Sequence, residues 1–238
     1  MQLVKIDAFD LDDAWFQCLS QLIDCGHIYE VTRGSYKGQK RLEFDFVTIQ
    51  VTNPGHQIIP LIPEGMTIPP PVTMEYINNY MNYILTSAKT AQEDYTYGER
   101  LVEPVARTKD GHELPLSVNQ ILEVIRIYKE EGYGTNQATM EIGMPSDVLL
   151  SDPPCLRLID TRVRYGKLHF FVYFRSWDLW GGFPANLGAL QKLKEWMASE
   201  IGVEDGQIIA LSKGLHLYDH CFKYAELRTG KTIRVGSR

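Results

Sequence analysis

Long apolar runs are missing from this chain of 238 residues. None approaches the ~20 residues a membrane helix requires. The first ten residues carry Lys5, Asp7 and Asp10 where a secretory signal would need an apolar stretch. The expectation is a soluble protein of the cytoplasm. Basic excess is missing too: 24 Lys and Arg stand against 30 Asp and Glu, a net charge of −6. Nucleic-acid binders need a basic face, so neither nucleic acid nor a membrane is an expected partner. A small anion held in a local basic pocket remains compatible with that charge. The four cysteines, Cys18, Cys25, Cys155 and Cys221, form no C-x-x-C pair and fit no zinc module. Thiols in a reducing compartment are the simplest reading. His216 and His220 stand four apart, but H-E-x-x-H is lacking and Gly214 argues against a helix, so no metal is expected. Repeats, low-complexity segments and Gly- or Ser-rich linkers are absent, so residues 1–238 read as one domain.

What is present is ordinary for a globular protein: 44% hydrophobic, 11% aromatic and 23% charged residues, which excludes disorder and coiled coil. Apolar spacing predicts a helix over Leu11–Ile23 with Asp10 as N-cap and Cys18 on the core stripe. A strand is predicted over Leu42–Val51, with Leu42, Phe44, Phe46 and Ile49 inward. The proline-rich stretch Pro54–Pro71 reads as a long loop. Further helices are predicted over Met74–Leu85, over Val118–Glu130 with a capping box of Ser117 and Gln120, and over Leu187–Glu200. The second helix is expected to bury Val118, Ile121, Leu122, Ile125 and Tyr128. Strands are expected at Met140–Gly143, Leu156–Arg164, Leu168–Phe174 and Gln207–Leu211, with a hairpin turn at Tyr165-Gly166. Helices and strands mix without βαβ alternation, which points to α+β or mixed α/β packing.

Four features could carry chemistry. Cys155 follows the stiff Asp152-Pro153-Pro154, with Arg157, Arg162, Arg164 and Arg175 near it in sequence. Arginines close in space lower a thiol pKa and populate the nucleophilic thiolate; the alternative is a buried structural cysteine. Arg175 and Ser176 could bind phosphate, or Arg175 could pair with Asp178 at a strand end. Gly181 and Gly182 would let a backbone approach a ligand. Asn186 could be the N-cap of a helix at Leu187, a reader of a planar base edge, since an amide offers one donor and one acceptor, or both. His216 and Tyr218 share a face if they lie in a strand.

In this order the features resemble folate-dependent thymidylate synthases. The matching pieces are Pro153-Pro154-Cys155, Arg175-Ser176-Trp-Asp178, Gly182-Phe-Pro-Ala-Asn186, Gly206 and Leu215-His216-Leu-Tyr218, with Tyr97-Gly98 and Arg33 as weaker matches upstream. The short chain looks like the compact archaeal branch. The resemblance implies a large mixed sheet with flanking helices, dimerised through sheet faces. It implies reductive methylation of dUMP with 5,10-methylenetetrahydrofolate. Cys155 would attack C6 of the pyrimidine. Arg175, Ser176 and Arg33 would hold the phosphate, Asn186 the base, His216 and Tyr218 the sugar. Asp178 and Gly182 would contact the folate. Tyr97 and Glu75, which opens the Met74 helix, would serve the proton relay. Three departures stand out. Leu156 follows the cysteine where the family usually has His. Thr135-Asn136-Gln137-Ala138 occupies the place of an arginine pair, leaving Arg33, Lys37, Lys40 or Arg41 to compensate. The polar tail Lys231–Arg238 has no lid residue. The competing readings are a pyrimidine-nucleotide 5-hydroxymethylase and a nucleotide-binding relative without turnover. Asn186 favours uracil, since cytosine-specific relatives carry Asp there.

Overall fold

The computed structural model describes residues 1–34 and 36–234, so Ser35 and the last four residues of the polar tail lie outside the described residues. The chain opens on β1 (Leu3–Ala8), which buries Val4, Ile6 and Ala8 in alternation. In α1 (Leu11–Cys25) the Asp10 carboxylate accepts from Asp13 N, the expected N-cap, and Cys18 lies on the buried stripe. Next come β2 (His27–Glu30), β3 (Lys40–Glu43) and β4 (Phe46–Val51). The strand expected from Leu42 to Val51 is thus broken at Phe44 and Asp45. Leu42 and Phe44 are buried before the break, and Val47, Ile49 and Val51 after it. This one-residue slip leaves Phe46 only half-buried, because a period of two sends every later side chain to the other face. The cause is pairing: β3 joins one sheet and β4 another.

Pro54–Pro71 forms neither helix nor strand, as its composition predicts. α2 (Met74–Ile84) is capped by the Thr73 side chain, and α3 (Tyr97–Val102) starts on a capping box of Thr96 and Glu99. β5 (Val105–Arg107) and β6 (Glu113–Pro115) make a small hairpin. α4 (Gln120–Glu130) begins later than the pattern predicts. Ser117 sits at φ +50°, Asn119 caps in its place by accepting from Leu122 N, and the Gln120 amide donates to Arg100 O and Glu141 O. Its buried stripe is Ile121, Val124, Ile125 and Tyr128; Val118 and Leu122 are exposed.

β7 (Thr139–Glu141) and a 3-10 turn (Pro145–Leu149) lead into β8 (Leu156–Arg164) and β9 (Lys167–Phe174). Tyr165 and Gly166 join them with φ of +54° and +71°, as a tight two-residue hairpin turn requires. The chain ends with β10 (Trp177–Asp178), α5 (Gly182–Ile201), β11 (Glu204–Ser212), β12 (Leu215–Tyr218) and α6 (Phe222–Thr229). α5 starts well before the expected Leu187.

The larger sheet is mixed, in the order β1-β4-β11-β9-β8-β7; the smaller runs β10-β12-β3-β2. α1 and α5 pack on one face of the larger sheet. The opposite face leaves Phe171, Tyr173, Ile209 and Leu211 only half-buried, with Phe171 beside Ile209 and Tyr173 beside Leu211 in register. The architecture is the mixed α/β sheet with flanking helices that the sequence predicts.

Candidate active site

Cys155 stands at the mouth of β8, where its carbonyl accepts from Arg175 N at 2.8 Å. The Arg175 guanidinium is wrapped by the approach loop. Nε donates to Pro154 O at 3.1 Å, Nη2 donates to Pro153 O, and Nη2 pairs with Asp152 Oδ1 at 3.2 Å. Its ionic partner is therefore Asp152, and the Arg175–Asp178 bridge weighed from the sequence does not form. Arg33, exposed at the end of its turn, donates to Leu150 O of the same loop at 3.1 Å. Beneath the loop the buried Asp147 carboxylate accepts from Arg100 at 2.8 Å and from Arg157 at 2.9 Å. Tyr97 Oη accepts from Leu156 N at 3.1 Å, which sets the phenol beside Cys155. Gly98 makes that placement possible. A Cβ there would lie 2.1 Å from Thr86 O and 2.3 Å from Tyr83 O, so only glycine lets α3 abut the end of α2.

Burial pushes the Cys155 thiol above its ordinary value, and Asp152 adds to the rise; Arg175, then Arg157 and Arg41, oppose it. The expected lowering by arginines is thus outweighed by desolvation. Arg162 and Arg164 play no part: Arg162 donates to Asn136 Oδ1, and Arg164 is exposed at the hairpin end. Burial likewise raises the phenols of Tyr95 and Tyr97, with the cysteine's negative form adding to each.

β12 crosses beside this loop. In register His216 faces Asp178 on one side and Glu43 on the other, and Tyr218 faces Arg41. The two aromatic rings share a face as expected, 4.6 Å apart and edge to face. His216 is buried, and desolvation depresses it to about 4. Neutral at pH 7, it donates from Nδ1 to Gly214 O at 2.8 Å, which makes Nε2 an acceptor; this buried atom has no partner among the described residues. Tyr218 is pushed up to about 12 by burial and stacks between Tyr36 and His220. Arg41, one of four basic residues the sequence offered, lies within electrostatic reach of Cys155, His216 and Tyr218; its Nε is 2.7 Å from Glu43 Oε2.

Ser176 is half-buried in the link between Arg175 and β10. Asp178 ends that strand and holds the start of α5: its carboxylate accepts from the backbone N of Trp180, Gly181 and Gly182 at 3.2, 3.0 and 2.8 Å. A Cβ on Gly182 would sit 3.2 Å from Asp178 Cβ, so the glycine serves this close turn. Asn186 lies inside α5, and its capping role is overturned because the helix already begins at Gly182. Its Oδ1 accepts from Trp177 Nε1 at 3.0 Å, and its Nδ2 donates to Tyr80 Oη at 3.1 Å. Trp177 is itself clamped between Phe174 and Phe183, with ring centroids at 3.9 and 4.7 Å. Glu75 is exposed on the first turn of α2; Tyr80 is the residue of that helix that reaches Asn186.

The fold gathers Cys155, Tyr97, Arg175 and Arg33 around one loop, and Asp178, Gly182 and Asn186 at the adjoining start of α5. His216 and Tyr218 lie on the neighbouring strand. Sequence reasoning missed Tyr80, Tyr95 and Trp177. The helical spacing of Tyr76, Tyr80 and Tyr83 was a visible signal for the first.

Residues 81–235 match the family model described as thymidylate synthase. A protein of Methanosarcina acetivorans provisionally named thymidylate synthase is 31% identical over 221 residues, 93% of this chain and 92% of the relative. One of Methanocaldococcus jannaschii with the same provisional name is 28% identical over 183 residues, 74% of this chain and 75% of the relative. A protein of Bacillus phage SP01 named deoxyuridylate hydroxymethyltransferase is 44% identical over 68 residues, 28% of this chain and 18% of that protein. A mixed α/β fold with this ordered set of residues is thus that of a transferase. The chain belongs to the thymidylate synthase family. No described helix is long and apolar enough to cross a membrane.

Proposed function

We propose that this protein, as one domain over residues 1–238 in the cytoplasm, converts dUMP to dTMP using 5,10-methylenetetrahydrofolate. The observation that carries the reading is the juxtaposition of the Cys155 loop, wrapped on Arg175, with the oriented amide of Asn186. Cys155 Sγ bonds to C6 of the uracil once its proton has left, with Arg175, Arg157 and Arg41 favouring the thiolate. The ring's electron pair moves toward O4, where Asn186 Nδ2 donates to the developing charge. C5 becomes nucleophilic. Arg175, Arg33 and Ser176 hold the 5′-phosphate, and the lone pair on His216 Nε2, with Tyr218, accepts and positions the sugar hydroxyl. Tyr97, protonated and fixed beside the nucleophile, orders water for proton movement; Glu75 stands as a further relay candidate. The folate supplies the one-carbon unit to C5, which gives up its hydrogen as a proton to the ordered water, and the hydride that completes the methyl group; Cys155 leaves C6 as a thiolate when the ring double bond re-forms. Asp178 suits a pterin donor, since its two oxygens take three backbone N–H groups and a carboxylate has about four acceptor sites. Gly182 lies beside it. No metal is invoked. The half-buried apolar row Phe171, Tyr173, Ile209 and Leu211 supports a homodimer through sheet faces.

The phage relative's name favours one second reading, a 5-hydroxymethylase in which water replaces the hydride. Release of the C5 hydrogen from labelled dUMP, with product analysis, separates them. dTMP supports the synthase, a hydroxymethyl product supports the second reading, and the absence of release with retained nucleotide binding overturns both.

A further inference from the structure

We propose that Tyr80 is a second reader of the base: its hydroxyl accepts from Asn186 Nδ2 and donates its own hydrogen to the O4 carbonyl of a uracil nucleotide. The proposal rests on the uracil-nucleotide reading above and adds a residue to it. The starting point is Trp177. An indole N–H can only donate, so the Asn186 atom 3.0 Å from it is the acceptor Oδ1. The amide is thereby oriented, and the atom facing Tyr80 Oη at 3.1 Å is the donor Nδ2. Tyr80 must accept that bond. Its own hydrogen finds no acceptor among the described residues.

Two donors then converge: the second hydrogen of Asn186 Nδ2 and the hydroxyl hydrogen of Tyr80. A carbonyl oxygen has two lone pairs and takes both. An exocyclic amine in the same place meets two donors. Asn186 Oδ1 keeps a lone pair for the neighbouring N3–H of uracil, whereas cytosine presents an acceptor there. The Tyr80 ring is held by stacking between Tyr76 and Tyr83, with centroids at 6.1 and 6.0 Å. Burial raises its phenol well above the ordinary value, so the hydroxyl keeps its proton through neutral pH.

The test uses the full chain and its Tyr80→Phe variant, with calorimetric titration of dUMP, dCMP and a dUMP analogue lacking O4. The expected result is dUMP weakened about tenfold in Tyr80→Phe, since a buried acceptor loses one donor, with dCMP changed less than about twofold. Loss of O4 should cost the unsubstituted protein about tenfold and the variant much less. Equal weakening of dUMP and dCMP overturns the role of Tyr80 and leaves the uracil reading standing; no penalty for the O4-lacking analogue in the unsubstituted protein overturns the contacts of both Tyr80 and Asn186 to O4. An unsubstituted protein that binds neither dUMP nor dCMP overturns both.

Discussion

The two ends of the site are held by different forces. At the nucleophile end ionic contacts dominate, Arg175 on Asp152 and Arg100 and Arg157 on Asp147, while Arg33 donates to the Leu150 carbonyl of the same loop. At the base end the side chains that meet Asn186 are neutral, an indole and a phenol, and the imidazole on the neighbouring strand is uncharged. Ionic attraction reaches several ångströms and is screened by salt. Neutral hydrogen bonds act only at contact and fail when donor and acceptor are exchanged. On the function proposed above, the nucleophile end would capture a nucleotide monophosphate and the base end would choose among them.

The largest expected effect is at the thiol. Cys155→Ala should reduce turnover to background while dUMP still binds, and 5-fluoro-dUMP with the folate should label Cys155 alone; a label on Cys221 breaks the assignment. Next comes the ionic scaffold. Asp147→Ala leaves two guanidinium groups without their buried carboxylate and should cost about 3–5 kcal/mol in denaturant unfolding. A loss under 1 kcal/mol would show that the loop stands without it.

At the neutral end acid is the probe. His216 has a folded value of about 4 against an ordinary 6.5. Its contribution is therefore complete above pH 6.5 and lost as pH falls toward 4. The loss should reach about 3 kcal/mol in unfolding experiments at pH 7.5 and pH 4. His216→Gln should flatten this dependence, and an unchanged slope would place the acid sensitivity elsewhere. Arg175→Ala should weaken dUMP by about 1.5–3 kcal/mol in titration and deoxyuridine hardly at all. Equal losses would make Arg175 structural. The smallest effect is at Asn186→Asp, where Trp177 keeps an acceptor. The preference for dUMP over dCMP should shift by roughly tenfold, about 1.4 kcal/mol, with melting temperature nearly unchanged. A fixed preference would mean that the base is read elsewhere.

Much of this was legible in the chain, because some signals are local. Asp10 before an apolar stripe and Tyr165-Gly166 between alternating runs each specify their element within a few residues. The break at Phe44 and Asp45 was not legible, because it exists only where β3 and β4 pair into different sheets. Asn186 read equally well as a cap or a base reader until Asp178 took over the start of α5. The four arginines near Cys155 suggested a lowered pKa. The length of β8 carries two of them to its hairpin end, seven and nine residues from the thiol, and burial, which depends on the whole fold, decides the sign. The ordered motifs marked residues that the fold brings together; the contacts that orient their side chains come from distant segments.

The clamped indole of Trp177 also limits what mutation can explore. With only a hydrogen to offer, it asks for an acceptor from whatever occupies position 186. Asn and Asp meet that demand in nearly the same volume, whereas an aliphatic or cationic side chain would strand a buried N–H. On the proposed reading, these two near-isosteric residues would favour opposite pyrimidines. If Asn186 reads the base as proposed, a lineage built on this scaffold stands one substitution from a change of base, and the substitutions that strand the indole N–H are closed to it.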